Sequence, residues 1–299
     1  MSFADRLAAA VREKQSVTCV GLDPRKTQLP APIRDSVSGD SPDQWAAAYT
    51  QFCNEIIDVV ADKVPCVKPQ AAFFEQLGPA GMIALGEVIS HARKAGLLVI
   101  TDGKRNDIGS TATAYADAYL GLDSPWGSDS LTVSPYLGRD SLEPFADVCD
   151  TRDAGVFVLV KTSNPGGGLL QDRATDGQTV YQRVAALVTE LNATRLGTCG
   201  YGPIGAVVGA TYPEQLEELR RLMPTAWILI PGFGAQGGAA DDVKAGFDDQ
   251  GLGAVVNSSR HIIFAHAREP YRDSFGDDRW QDAVAAATDE MNGSLKFEG

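Results

Sequence analysis

The chain has few of the residues that hold metals and disulfides. Its 299 residues include only three histidines and five cysteines. His91, His261 and His266 form no HExxH arrangement, and the last two stand five apart, off a common helical face. Cys19, Cys53, Cys66, Cys149 and Cys199 are odd in number and scattered, with no CxxC pair. That spacing argues against a disulfide scaffold or a thiolate zinc site, and no structural metal is expected. No apolar run approaches the roughly 18 residues of a membrane-spanning helix. The segment 1–14 carries Asp5, Arg6, Arg12, Glu13 and Lys14 without the apolar stretch of a signal peptide. Positive charge is also short: 26 Lys and Arg against 39 Asp and Glu give a formal charge of −13. That is the wrong sign for a nucleic-acid binder or a polybasic membrane-surface protein. The expectation is a soluble cytoplasmic protein that handles any anionic ligand with a few placed cations.

What the chain does have is the material of a core. Hydrophobic residues make up 44% and aromatics 8%, and at this length about three quarters of the unfolded surface can be buried. Short apolar runs at 17–22, 64–68, 97–101, 130–133, 155–160, 204–208, 227–230 and 254–257 read as strands. Most are continuous rather than alternating, as in parallel sheets covered on both faces. Amphipathic helical patterns lie between them. Ser41 and Pro42 open one in which Trp45, Tyr49, Phe52, Ile56 and Val60 recur at steps of three or four. Met82, Leu85, Val88, Ile89 and Ala92 form another that stops at Gly96. Similar patterns cover 111–120, 179–191, 212–223 and 280–291, and an extra helix at 3–11 precedes the first strand. Eight strands alternating with helices predict an α/β fold. It is a single (β/α)8 TIM barrel over 1–299 with an additional N-terminal helix, and a doubly wound open sheet is the rival. The long connections at 24–39 and 268–278 show no shift in composition that would mark a domain boundary.

In such a barrel the residues after each strand form the catalytic face. Asp23 follows the first strand, Lys68 ends the second, and the third runs into Asp102-Gly103-Lys104-Arg105-Asn106-Asp107. The fifth leads into Lys161-Thr162-Ser163-Asn164-Pro165 and three glycines, the seventh into Pro231-Gly232-Phe233-Gly234-Ala235-Gln236-Gly237-Gly238, and the eighth into Asn257-Ser258-Ser259-Arg260. Each has an ordinary alternative. Asp23 could cap a helix, Lys68 could snorkel to water, Ser163 could stabilise a turn, and the glycines could serve turns alone. Yet glycine-rich turns that open helices expose backbone N–H groups suited to phosphate, and Arg260 could add a bidentate cation. Asp102 and Lys104 stand two apart in an extended segment, which puts their side chains on one side. Acidic groups gathered around a lysine in a barrel mouth cost desolvation that structural ion pairs rarely demand; a solvated charge run is the alternative.

Asp-Gly-Lys-Arg-Asn-Asp-Ile at 102–108 resembles the DxKxxDI signature of the orotidine 5′-phosphate decarboxylase family. The resemblance extends over all eight strands through Gly21-Leu22-Asp23-Pro24-Arg25, Val67-Lys68-Pro69-Gln70, the segments 132–138 and 161–166, and the loop 231–238, and is to the longer bacterial, type 2 branch. It implies a cofactor-free enzyme that turns orotidine 5′-monophosphate into UMP and carbon dioxide, the last step of pyrimidine nucleotide synthesis. Lys104 would protonate C6 and Asp102 would face the substrate carboxylate. Asp107 and Thr111 would reach into the partner's site of a homodimer. Lys68 and Asp23 would contact the ribose, and Ser163 the pyrimidine. Gln236 and Arg260 would hold the phosphate with the backbone of the loop containing Pro231, Gly232 and Gly237. DxKxxD also occurs in phosphosugar enzymes, where it holds magnesium, so that chemistry stays open, as does a non-catalytic nucleotide-binding module.

Overall fold

A computed structural model describes residues 1–232 and 240–296. The eight apolar runs become eight parallel strands: β1 (Thr18–Leu22), β2 (Cys66–Pro69), β3 (Leu98–Arg105), β4 (Ser130–Val133), β5 (Gly155–Lys161), β6 (Gly202–Val208), β7 (Ala226–Pro231) and β8 (Ala254–Ser258). They hydrogen-bond in the order β1-β8-β7-β6-β5-β4-β3-β2 and close into a barrel, so the open-sheet alternative falls. Every residue of β1, β2, β4, β6 and β8 is buried, which is why these runs show no alternation. Around them stand α1 (Phe3–Lys14), α2 (Pro42–Val60), α3 (Gly78–Lys94), α4 (Gly109–Tyr119), α5 (Glu143–Arg152), α6 (Val180–Asn192), α7 (Pro213–Leu222) and α8 (Trp280–Ser294). No helix among the described residues is long and apolar enough to cross a membrane.

Helix α5 was not anticipated. Its buried face consists of Phe145, Ala146, Val148 and Cys149, two of them small, so ten residues offer too little periodic apolar signal. Gly96 takes φ +84°, as a glycine ending α3 should. Thr179 caps α6 through a reciprocal capping box with Gln182, so the helix begins one residue later than its apolar pattern.

The chain divides into two compact units. One comprises Met1–Ala9 and Gly103–Asn257. Here the start of α1 covers the N-terminal ends of β4 and β5. Arg6 pairs with buried Asp129 and donates to the carbonyl of Asp153 at 2.9 Å. Phe3 lies against Gly155, where a Cβ would come within 2.2 Å of the ring, and meets Phe157 edge-on at 6.1 Å. Behind β6 and β7, the Arg220 guanidinium donates to the carbonyls of Gly246, Gly253, Met223 and Ala226, under the ring of Tyr201. Tyr201 in turn donates to Asp248 at 2.7 Å.

Arg220→Met is expected to remove a hydrogen bond from each of these carbonyls, although those of Gly253 and Met223 keep the N–H groups of Ile228 and Ala226. At roughly 1 kcal/mol or more for each, the loss is about 3–5 kcal/mol, which lowers Tm by roughly 6–15 °C for a chain of this size. A Tm within about 2 °C of the parent in thermal unfolding would mean the carbonyls find other donors.

The second unit comprises Ala10–Asp102 and Ser258–Lys296. Tyr49, Phe52, Ile56 and Val60 of α2 are buried as their spacing predicts. Phe52 stacks on Phe264 at 5.6 Å and meets Trp280 at 5.2 Å. Trp45 departs from that face: its indole donates to Asp40 at 2.9 Å and lies under Lys26.

Candidate active site

The parallel direction of the strands puts their C-terminal ends at one end of the barrel, and the chemistry-bearing residues fall at or just beyond those ends. In the second unit, Gly21 pairs with Lys68 across β1 and β2, and Gln70 bridges to Asp102. Lys68 is 4% exposed; its ammonium lies 2.9 Å from Asp102 Oδ2. The Gln70 amide donates to the same oxygen at 2.9 Å. Burial alone would push the Lys68 ammonium down, but the carboxylates of Asp102 and Asp23 outweigh it and hold the group charged, above its ordinary value. Asp23 Oδ1 is buried without a hydrogen-bond partner among the described residues, an acceptor available to a hydroxyl.

Strand β3 continues four residues past its apolar run, through Asp102 to Arg105, because polar residues carry on the ladder at the barrel's end. The backbone N–H of Lys104 donates to Thr132 Oγ1 at 2.9 Å, and the carbonyl of Arg105 accepts from Ser134 at 2.9 Å. Lys104 itself sits at φ +45°, in the left-handed region. Regular extension, on which the expected alignment of Asp102 with Lys104 rests, is broken at this residue; Asp102 is buried and Lys104 exposed. Asp107 Oδ1 accepts from the N–H of Ile108 at 2.8 Å, and Thr111, in the first turn of α4, is exposed.

Ser163, two residues past β5, rests against Gly209 just beyond β6. A Cβ at Gly209 would lie 2.8 Å from Ser163 Cβ. Pro231 ends β7 and pairs with Asn257 of β8; Gly232 follows at φ +94°, a conformation suited to glycine. Gln236 and Gly237 lie outside the described residues. Arg260 opens the one-turn helix Arg260–Ile263 with its side chain exposed.

The structure thus brings Asp23, Lys68 and Asp102 together as one charge cluster and leads from it along β3 to Lys104. Two further residues, one in each unit, have no role assigned from the sequence. Gln70 is a neutral amide whose role becomes visible only once β2 and β3 are in register. Lys161 is 3% exposed and pairs with Asp172; a lysine ending an apolar strand was a signal in itself. Chemically, the cluster offers a carboxylate paired with a buried ammonium, with an exposed lysine two residues on.

Residues 16–271 match the model of the orotidine 5′-phosphate decarboxylase / HUMPS family. The chain is 71% identical over 300 residues to an orotidine 5′-phosphate decarboxylase of Rhodopirellula baltica, covering 99% of each. It is 46% identical over 267 residues to one of Haloarcula marismortui, covering 89% of this chain and 88% of that one. Among solved structures it is similar to the OMP decarboxylase of Leishmania donovani, with a TM-score of 0.75, 33% identity and 99% of both chains covered.

Proposed function

Because the chain belongs to the orotidine 5′-phosphate decarboxylase / HUMPS family, we propose that it converts orotidine 5′-monophosphate to UMP and carbon dioxide. The observation that carries this reading is the Asp23–Lys68–Asp102 cluster leading into Lys104. Breaking the bond between C6 and the carboxylate leaves an electron pair on a ring carbon with no conjugated sink, so placed charges must stabilise it. The Lys104 ammonium stabilises that carbanion and then gives it a proton; water reprotonates the amine. Asp102, paired with Lys68 and hydrogen-bonded by Gln70, faces the substrate carboxylate. Two such charges about 4 Å apart repel by roughly 4 kcal/mol at an effective dielectric near 20, a repulsion relieved as carbon dioxide departs. Asp23 and Lys68 hold the ribose hydroxyls and Ser163 the pyrimidine. Gln236, Arg260 and the backbone from Pro231 through Gly237 hold the phosphate, whose binding far from C6 offsets the repulsion.

The working form is a homodimer in the cytoplasm. Asp107 and Thr111 serve the neighbouring subunit's site. Ile108, Tyr136 and Leu137 are 53%, 77% and 45% exposed, and they lie on the adjoining loops after β3 and β4, an apolar group suited to a subunit contact.

Orotidine 5′-monophosphate mixed with the purified protein should be consumed, with the absorbance change that accompanies loss of its C6 carboxylate, and yield UMP, with or without a chelator. Failure to turn over would overturn the reading, and turnover abolished by the chelator would move the chemistry to a metal. Arg260→Ala should mainly raise KM and weaken UMP, because the phosphate is held throughout the reaction. The loss in kcat/KM is about 2–4 kcal/mol. Unchanged KM together with unchanged UMP affinity would remove Arg260 from the phosphate site.

A further inference from the structure

Lys161 is a charged group whose burial none of the roles above explains. It ends β5, is 3% exposed, and its ammonium pairs with Asp172 of the loop that carries Ser163. The rings of Tyr212 and Tyr181 flank the ammonium at 5.5 and 5.7 Å. A second tie lies beside it. The N–H of Thr162 donates to Gln171 Oε1 at 3.0 Å, and Gln171 Nε2 donates to Thr162 Oγ1 at 2.8 Å. The loop therefore leaves the barrel at Lys161 and is drawn back onto Lys161 and Thr162 by adjacent residues, Gln171 and Asp172. Its glycines let it fit. A Cβ on Gly168 would lie 2.7 Å from Asp172 Oδ2, and one on Gly167 would lie 3.0 Å from both Gln171 Oε1 and Thr162 Oγ1. Ser163 sits between these ties and the bare backbone of Gly209, whose N–H donates to the Lys161 carbonyl at 2.8 Å.

We infer that the Lys161–Asp172 pair is a positioning latch that sets the Ser163 loop for the pyrimidine base, and so contributes to base recognition rather than to the phosphate grip. The inference rests on the reading of Ser163 given above. A connection that only joined β5 to α6 would have no use for an ammonium withdrawn from water, whereas a loop that must present one hydroxyl at a fixed place gains from being closed on a buried charge.

The test compares UMP with ribose 5-phosphate, which keeps the phosphate and sugar and lacks the base. Lys161→Met and Asp172→Asn should each weaken UMP about tenfold and raise KM for orotidine 5′-monophosphate, while ribose 5-phosphate affinity changes less than about twofold; Lys161→Arg should recover part of the loss. Asp172 has a 45% exposed side chain, so its variant keeps the test alive if Lys161→Met does not fold. Unchanged UMP affinity in Asp172→Asn, or an equal loss for both ligands, overturns the latch. Ser163→Ala separates the two claims. If it weakens UMP and Asp172→Asn does not, the latch is wrong and the Ser163 reading stands. If Asp172→Asn weakens UMP selectively and Ser163→Ala does not, the latch acts on the loop and Ser163 is not the base contact.

Discussion

Lys104→Ala is expected to lower kcat at least about 10⁴-fold, since in the proposed mechanism it removes the proton donor and the charge facing the carbanion together. UMP affinity should fall less than about tenfold, because the groups assigned to phosphate and ribose remain. Lys104→Arg separates the two contributions. A guanidinium keeps the charge but with a pKa above about 12 is a poor donor, so its rate should lie between those of the parent and the alanine variant. The backbone supplies a control. Lys104 holds φ +45°, which costs a side-chain-bearing residue of order 1 kcal/mol or more and glycine little. Lys104→Gly should therefore be the most stable of the three variants in thermal unfolding and as inactive as the alanine variant. A Lys104→Ala enzyme with kcat within tenfold of the parent would take the lysine out of the chemistry.

The strained position also marks where the sequence became hard to read. The strands were legible because the buried runs carry their signal in composition, and Asp23, Lys68 and Asp102 could be placed because each follows or ends such a run. The conformation at Lys104 could not, since nothing in Asp-Gly-Lys-Arg announces a left-handed residue at a lysine rather than at the neighbouring glycine. Polar ladders hide in the same way. β3 runs on through Asp102–Arg105 on hydrogen bonds from the backbone N–H groups of Lys104 and Ser134, and those depend on residues some thirty positions away. Gln70 and Lys161 were overlooked for a related reason: the partners that give them meaning, Asp102 and Asp172, are fixed by strand register and loop closure. Residues tied to their own strand's apolar run are readable in one dimension; residues tied to another segment's polar group are not.

Mixing two inactive variants should restore activity if the sites are shared between subunits. Asp107→Ala is expected to be nearly inactive, like Lys104→Ala, but through loss of a carboxylate that serves the other subunit. In a dimer of one chain of each kind, one site combines Lys104→Ala from its own chain with Asp107→Ala from its partner and is doubly damaged. The other combines the intact Lys104 and the intact Asp107. At equal mixing with free exchange, half the dimers are mixed and each carries one intact site in two, so up to about a quarter of the parent activity should return. Asp107 is partly exposed beside exposed Ile108, and its Oδ1 accepts from the N–H of Ile108 at 2.8 Å, which is compatible with an outward-acting carboxylate. The recovery should follow the kinetics of subunit exchange. If native mass spectrometry finds the mixed dimers and no activity accompanies them, Asp107 acts within its own subunit and the shared-site assignment is wrong.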